Sequence, residues 1–261
     1  MFDVHCHLHD PRIFSRVGQI IARAKAVGVS SMVSCATQSS NFLQTRDLAR
    51  AHANVLPCFG FHPWFLEDLP PHWEDSLEAS LLEIPSGVGE IGLDFAIQGV
   101  DLDRQIQVFE KQLALARALN RPVAIHVRKA WDGVVHVLKR FGTLPAGGLI
   151  HSYSGSADLV RALEKYHLYF SFSGSQPRHR GKKAGLALMA VAPDRLLVET
   201  DAPDIFPNLG PLDPDPLSPG VNEPCFLPVI LRTLAQKRGQ SVEELVRMTY
   251  DNAVRLFTPL L

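Results

Sequence analysis

The sequence predicts an α/β fold: one (β/α)8 TIM-type barrel domain over residues 1–261, with its chemistry at the C-terminal ends of the strands. Three observations predict it. Short β-rich runs alternate eight times with segments of helical period, and 261 residues suit a barrel of about 250. Ionisable side chains close nearly every one of those runs. The one long irregular stretch, APDIFPNLGPLDPDPLSPGVNEP, follows the eighth run, and a loop of that length inside a compact domain is usually a functional lid.

The elements follow in order. FDVHCH is the first strand, with a helix expected over residues 17–27. SSMVSCA leads to a helix over 38–52, and NVLPCFGFH to one over 73–83. GVGEIGLDF is the fourth strand. After it, DRQIQVFEKQLALARALN places Ile106, Phe109, Leu113 and Ala116 on one stripe of an amphipathic helix. RPVAIHV, a helix over 131–140, GLIHSYS, a helix over 158–165, and HLYFSFS come next. A helix over 182–192 precedes DRLLVETD, and one over 224–237 follows it. The last helix begins at SVEE, where Ser241 and Glu244 have capping-box spacing. Strands alternating with helices pair in parallel, and eight repeats favour closure over the alternative, an open doubly wound sheet.

The 26 basic and 27 acidic residues leave a net charge of −1. No global basic field is available to hold nucleic acid by counterion release, although a local positive site or bound cations can still receive a phosphate. No secretory signal is expected, because polar residues interrupt the N-terminus from Asp3 onward, and no apolar run approaches the length of a membrane span. Cys6, Cys35, Cys58 and Cys225 lack C-x-x-C spacing and read as small buried hydrophobes in a reducing compartment. A cytoplasmic location is therefore expected, with no membrane contact and no obligate protein partner.

DVHCHL sets His5 and His7 one strand repeat apart, so both face the same side as Asp3. His62 closes the third strand, Glu90 and Asp94 the fourth, His126 and Arg128 the fifth, His151 the sixth, and Glu199 and Asp201 the eighth. Each has a plain structural reading. His126 and His151 suit core histidines, Glu90 between two glycines suits a bulge or an Arg128 partner, and Asp201 and His62 suit turns. Burying so many ionisable groups without a cation, however, costs several kcal/mol apiece, and one shared metal site explains them together. Imidazole and carboxylate without thiolate suit zinc, manganese, magnesium or iron. The set exceeds what one catalytic ion with open positions takes. Two divalent ions sharing Glu90, about 3.5–4 Å apart, are the economical arrangement.

In the ordered series DVHCHL, CFGFHPW, GEIGLDF, RPVAIHVRKAWD, IHSYSG, YFSFSG, LLVETDAP, NEP and DNAVRLF, from Phe2 to Phe257, the chain resembles the TatD family of metal-dependent hydrolases, within the amidohydrolase-like barrel superfamily. The resemblance implies a divalent-metal phosphodiesterase, a TatD-type deoxyribonuclease of 3′-5′ exonuclease character acting on DNA or another phosphodiester. It places His5, His7, Glu90 and Asp201 on one ion, and Glu90, His126 and His151 on a second. Retention of His5 and His7 implies the form with two divalent ions, of Zn, Mn or Mg. Asp201 is the implied general base and Glu90 the implied bridge. His62 and Arg128 are expected either at phosphate oxygens or as orienters of the ligands, and Glu199 as an orienter. HPW stands where HPH is common, and Trp64, Phe95 and Tyr153 are expected to stack on nucleobases or else to pack into the barrel rim. The rival activity is carboxylic ester hydrolysis, as in a D-aminoacyl-tRNA deacylase. A non-catalytic metal-binding scaffold is the other rival, and it would lack the carboxylate that Asp201 supplies.

Overall fold

Eight parallel strands follow one another in sequence order: β1 (Phe2–Cys6), β2 (Ser31–Cys35), β3 (Val55–Phe59), β4 (Gly87–Asp94), β5 (Val123–Arg128), β6 (Gly148–Ile150), β7 (Leu168–Phe172) and β8 (Leu196–Val198). Helices α1 (Pro11–Phe14) and α2 (Val17–Ala26) follow β1, and then α3 (Phe42–Ala51), α4 (Trp73–Glu83), α5 (Leu102–Ala118), α6 (Trp131–Phe141), α7 (Ala157–Glu164) and α8 (Lys182–Ala190) each follow one strand. After β8 come α9 (Leu227–Arg238) and α10 (Val242–Phe257). This computed structural model describes every residue except 98, 100, 175–181, 212 and 261. The order is that of the (β/α)8 barrel; a doubly wound sheet would take its strands out of sequence. Among the described residues, no helix is long and apolar enough to cross a membrane. The four cysteines are buried and form no disulfide among the described residues.

Several strands stop short of the residues expected to close them: β3, expected to run through His62, ends at Phe59. GLIHSYS and DRLLVETD suggest runs through His151 and Asp201, but β6 ends at Ile150 and β8 at Val198. Ser152 and Asp201 take positive φ values of 42° and 57°, which no strand accommodates. Several ionisable residues therefore sit just beyond strand ends, where the backbone is free to turn.

The chain divides into two compact units. The first comprises Met1–Ser34, Ser152–Ala162 and Phe170–Arg255. Its β1 is buried along its whole length, as parallel strands covered on both faces are. Just past β8, Asp201 N–H donates to the His5 carbonyl at 3.0 Å and His7 N–H to the Ala202 carbonyl at 2.7 Å, so this segment pairs with the end of β1. Buried Asn252 on α10, from the DNAVRLF motif, donates to the carbonyls of Pro193 and Leu196 at 2.8 and 2.9 Å and pins the entry to β8. The capping box forms as expected, with Glu244 N–H on Ser241 Oγ at 3.1 Å and Ser241 N–H on Glu244 Oε2 at 3.3 Å. The described part of the proline-rich stretch up to Glu223 carries no helix or strand. Phe206 and Leu209 from it pack on Cys225, Phe226 and Val229.

The second unit comprises Cys35–His151, Leu163–Tyr169 and Leu256–Leu261. Helix α5 departs from its apolar reading. Its buried face carries Gln105, Val108, Phe109, Gln112, Leu113 and Ala116, while Ile106 is only half-buried. The two glutamines act as clamps. Gln105 accepts from Asp94 N–H at 2.8 Å and donates to the Asp94 carbonyl at 3.0 Å. Gln112 does the same for Phe61, at 2.7 and 3.1 Å. Amide side chains thus satisfy backbone groups that leave the sheet ladder, which an apolar stripe cannot do.

Gly92 in GEIG has φ +144°, and a Cβ there would lie 2.1 Å from the His126 carbonyl oxygen. Only glycine lets β4 approach β5 this closely. Gly92→Ala is expected to destabilise the protein by at least about 2 kcal/mol in urea unfolding. A change within about 0.5 kcal/mol, the range of an ordinary surface substitution, would show that the close approach is dispensable.

Candidate metal centre

In the second unit, three histidines converge on Glu90. Its carboxylate is almost wholly buried, and Oε1 lies 2.9 Å from His126 Nδ1, 2.9 Å from His151 Nε2 and 3.3 Å from His62 Nε2. His126 Nδ1 and His151 Nε2 are 3.2 Å apart. Donor atoms around one tetrahedral ion with bonds of about 2.1 Å are separated by roughly 3.4 Å. The spacing of these three donors therefore fits a divalent cation. Burial pushes the Glu90 carboxyl up, but His62, His151 and His126 outweigh it and hold the group well below the usual carboxylate range.

The hydrogen bonds assign different roles to the three imidazoles. His126 turns Nε2 to Asp94 Oδ2 at 3.1 Å, so Nε2 carries the proton and Nδ1 is left as a donor to metal. His62, Glu90 and His126 also come close enough to share an ion. His62 Nδ1, however, accepts from Trp64 N–H at 3.1 Å as it caps the short 3-10 turn Pro63–Phe65. Its proton is therefore on Nε2, facing Glu90, and His62 is a hydrogen-bond donor rather than a ligand. Buried Asp94 is the hub of this network. Burial raises its carboxyl, but bonds from His126, Trp64 Nε1 and Ala96 N–H bring it down to about 2. Arg128 is exposed at the end of β5, with Nη1 3.9 Å from Asp94 Oδ2.

The first unit holds a second set. His5 Nε2 and His7 Nε2 lie 3.8 and 3.5 Å from Asp201 Oδ1, with the two rings edge to face at 5.0 Å. These separations also suit ligands of one ion. Asp201 reaches them through its left-handed backbone, which aspartate tolerates better than most residues. The turn is pinned from behind by NEP: Asn222 Nδ2 donates to the carbonyls of Thr200 and Ile205 at 2.7 and 3.2 Å. Glu223 in turn accepts from Leu217 N–H at 2.6 Å and Arg23 Nε at 2.9 Å.

Two in-phase carboxylates take structural positions. Asp3 accepts from Thr200 N–H at 2.9 Å and from the Thr200 hydroxyl at 2.5 Å; burial still pushes its carboxyl up to about 7. Glu199 accepts from Ser152 N–H at 2.7 Å and from the Ser171 hydroxyl, which fixes the turn after His151. Tyr153, expected at the substrate, is corrected to a core residue. It is fully buried, its ring packs edge-on against Phe170 at 5.0 Å, and its hydroxyl donates to the Ser156 carbonyl at 2.7 Å. Trp64, by contrast, is half-exposed. Asp94, Gln105 and Asn222 had no assigned role from sequence; polar residues on the apolar face of α5 were the available signal for one of them.

A buried imidazole and carboxylate set of this kind on a (β/α)8 barrel defines a metal-dependent hydrolase. The sequence pattern of the TatD related DNase family matches residues 2–258, and the chain belongs to that family. It is 31% identical over 260 residues to the uncharacterized metal-dependent hydrolase YabD of Bacillus subtilis, covering 98% of each chain. It is 32% identical over 267 residues to the 3′-5′ ssDNA/RNA exonuclease TatD of Edwardsiella piscicida, covering 98% of this chain and 99% of that one. The crystal structure of YjjV, a TatD homologue of Escherichia coli, superposes with a TM-score of 0.91 at 27% identity, covering 99% and 98% of the two chains.

Asp94→Asn keeps the shape of the hub and removes the anionic acceptor for His126 Nε2–H. Divalent-metal affinity is expected to fall about 10- to 100-fold in a chelator competition titration, with the urea midpoint little changed. Unaltered affinity would show that Asp94 does not orient His126.

Proposed function

We propose that the protein is a divalent-metal phosphodiesterase of deoxyribonuclease type, working as one hydrolase domain in the cytoplasm and removing nucleotides from 3′ ends. The observation that carries this reading is the single carboxylate oxygen of Glu90 held 2.9 Å from both His126 Nδ1 and His151 Nε2. The exonuclease name of the Edwardsiella piscicida relative supports the substrate class. In this reading His5, His7, Glu90 and Asp201 hold one ion, while His126 and His151, with Glu90 as the shared ligand, hold another. The metals are Zn, Mn or Mg.

A divalent ion bound by such donors supplies Lewis acidity toward a phosphoryl oxygen and a water of lowered pKa. The side chains do the rest. Asp201, carboxylate-bearing and close to both histidines of its set, takes the proton of the attacking water at Oδ. His62 keeps Nε2–H on Glu90 Oε1 and so holds in place the carboxylate that would serve as the shared ligand. Arg128, exposed and with Nη1 3.9 Å from Asp94 Oδ2, can turn its guanidinium to two oxygens of a phosphate. Its proximity to the donor set favours an anionic phosphodiester over a neutral ester.

Degradation of a labelled single-stranded oligonucleotide with Mg²⁺, Mn²⁺ or Zn²⁺ tests the proposal, with a D-aminoacyl-tRNA supplied to the same preparation. The parent is expected to shorten the oligonucleotide from its 3′ end. Glu90→Ala is expected to lose essentially all turnover while its circular dichroism spectrum is retained. Deacylation of the tRNA without nucleotide release would overturn the phosphodiesterase reading, and equal activity in variant and parent would overturn the role of Glu90.

A further inference from the structure

Trp64 is 52% exposed yet closely held. Its indole Nε1–H donates to Asp94 Oδ2 at 2.6 Å. Its ring meets that of His62 at 5.1 Å and 87°, and that of His126 at 6.3 Å and 73°. An exposed tryptophan ordinarily lacks such a tether, since water satisfies its N–H equally well. Here the same carboxylate oxygen also takes the His126 Nε2 bond, so the indole is fixed relative to a proposed metal donor. The turn that carries it is fixed as well, by His62 capping Trp64 N–H and by Pro63. The result is a flat, apolar surface of fixed orientation beside the donor set, ordered before any ligand arrives.

We infer that Trp64 determines specificity: its indole is a stacking platform for the unpaired terminal base of a nucleic acid, which places the adjacent phosphodiester at the Glu90, His126 and His151 donors. The inference rests on the phosphodiesterase reading and adds the part of the substrate that the ligands cannot recognise. Metal donors grip a phosphate whatever is attached to it, whereas every base has a π face that a fixed aromatic ring can take. A terminal base still paired in a duplex is held by its complementary strand and must be unpaired, at a cost of a few kcal/mol, before it can turn onto a fixed ring, so the platform favours single-stranded ends. Because the ring is already immobile, stacking orders only the nucleotide, and less conformational freedom is lost on binding. Arg128, exposed and with Nη1 3.9 Å from the same Asp94 oxygen that takes the indole N–H, supplies a positive charge for the same nucleotide.

Binding is measured in Mg²⁺ with two single-stranded oligonucleotides whose last linkage is a cleavage-resistant phosphorothioate. They differ only in whether the 3′-terminal residue carries a base or is abasic. Anisotropy of a 5′ label gives the affinity, and tryptophan fluorescence reports stacking. The parent is expected to bind the base-bearing end about tenfold more tightly, with its fluorescence quenched, as one base stack should give. Trp64→Leu is expected to abolish both the difference and the quenching, so that base-bearing and abasic ends bind equally. Trp64→Phe, which keeps a π face and loses the N–H, is expected to restore most of the discrimination. Equal affinity of the parent for the two ends, or discrimination that survives in Trp64→Leu, would overturn the platform. Cleavage of the unmodified oligonucleotide decides the phosphodiesterase reading separately: turnover without base discrimination removes only Trp64, and base-dependent binding without turnover removes only the nuclease.

Discussion

A carboxylate with almost no exposed surface is the constraint around which the second unit is built. Glu90 cannot be left alone in the interior, where an ionised group without partners costs several kcal/mol. Three imidazole nitrogens within 3.3 Å answer that demand. Their own needs then propagate outward: His126 requires Asp94, Asp94 requires Trp64 and Ala96, and the Asp94 backbone requires Gln105 on α5. Each link is a buried polar group whose partner is another element of the fold. The network is expensive if any member is missing, and for that reason it specifies one arrangement of β3, β4 and β5.

The first unit meets a similar demand through the backbone. Asp201 leaves the strand in a left-handed conformation, and its turn is held by donors rather than by apolar cover. Asp3 receives the N–H and hydroxyl of Thr200 on one side, and Asn222 takes the Thr200 and Ile205 carbonyls on the other. The proline-rich stretch thus begins and ends on the turn that bears Asp201. A long segment without regular structure remains ordered at its ends because its two anchor motifs, TDAP and NEP, bond to each other.

Much of this was legible in the sequence because the relevant signals are local. Strand and helix alternation is a matter of period, and the capping box at Ser241 and Glu244 is a matter of spacing; both are read within a few residues. The histidines and carboxylates were legible by type, since such groups have few reasons to end so many strands. What escaped was anything that depends on a partner distant in sequence. The ring of Tyr153 looked available because its neighbours in the chain are polar, yet Phe170 and Phe172 bury it. Gln105 and Gln112 give no local signal, because apolar side chains carry the helical period and a buried amide that clamps a strand end interrupts it. Asp201, expected within the eighth strand in phase with Glu199, lies beyond the end of β8 at a positive φ that breaks the alternation.

The same distinction separates what the ligands do from what chooses the substrate. Imidazole and carboxylate donors at these spacings accept several divalent ions and activate water against phosphorus and carbon centres alike. They define hydrolysis and say little about what is hydrolysed. Selectivity must come from groups that touch parts of the substrate beyond the scissile bond, and those groups must be accessible. Among the described residues whose side chains reach Asp94, the Trp64 indole and the Arg128 guanidinium are exposed, and they supply complementary chemistry, a π face and a positive charge. Both meet the same buried carboxylate that orients His126. On the proposed reading, a ligand that presses on either exposed group acts on the carboxylate that also holds His126, the proposed metal donor, so recognition and the geometry of the centre would be joined at one side chain.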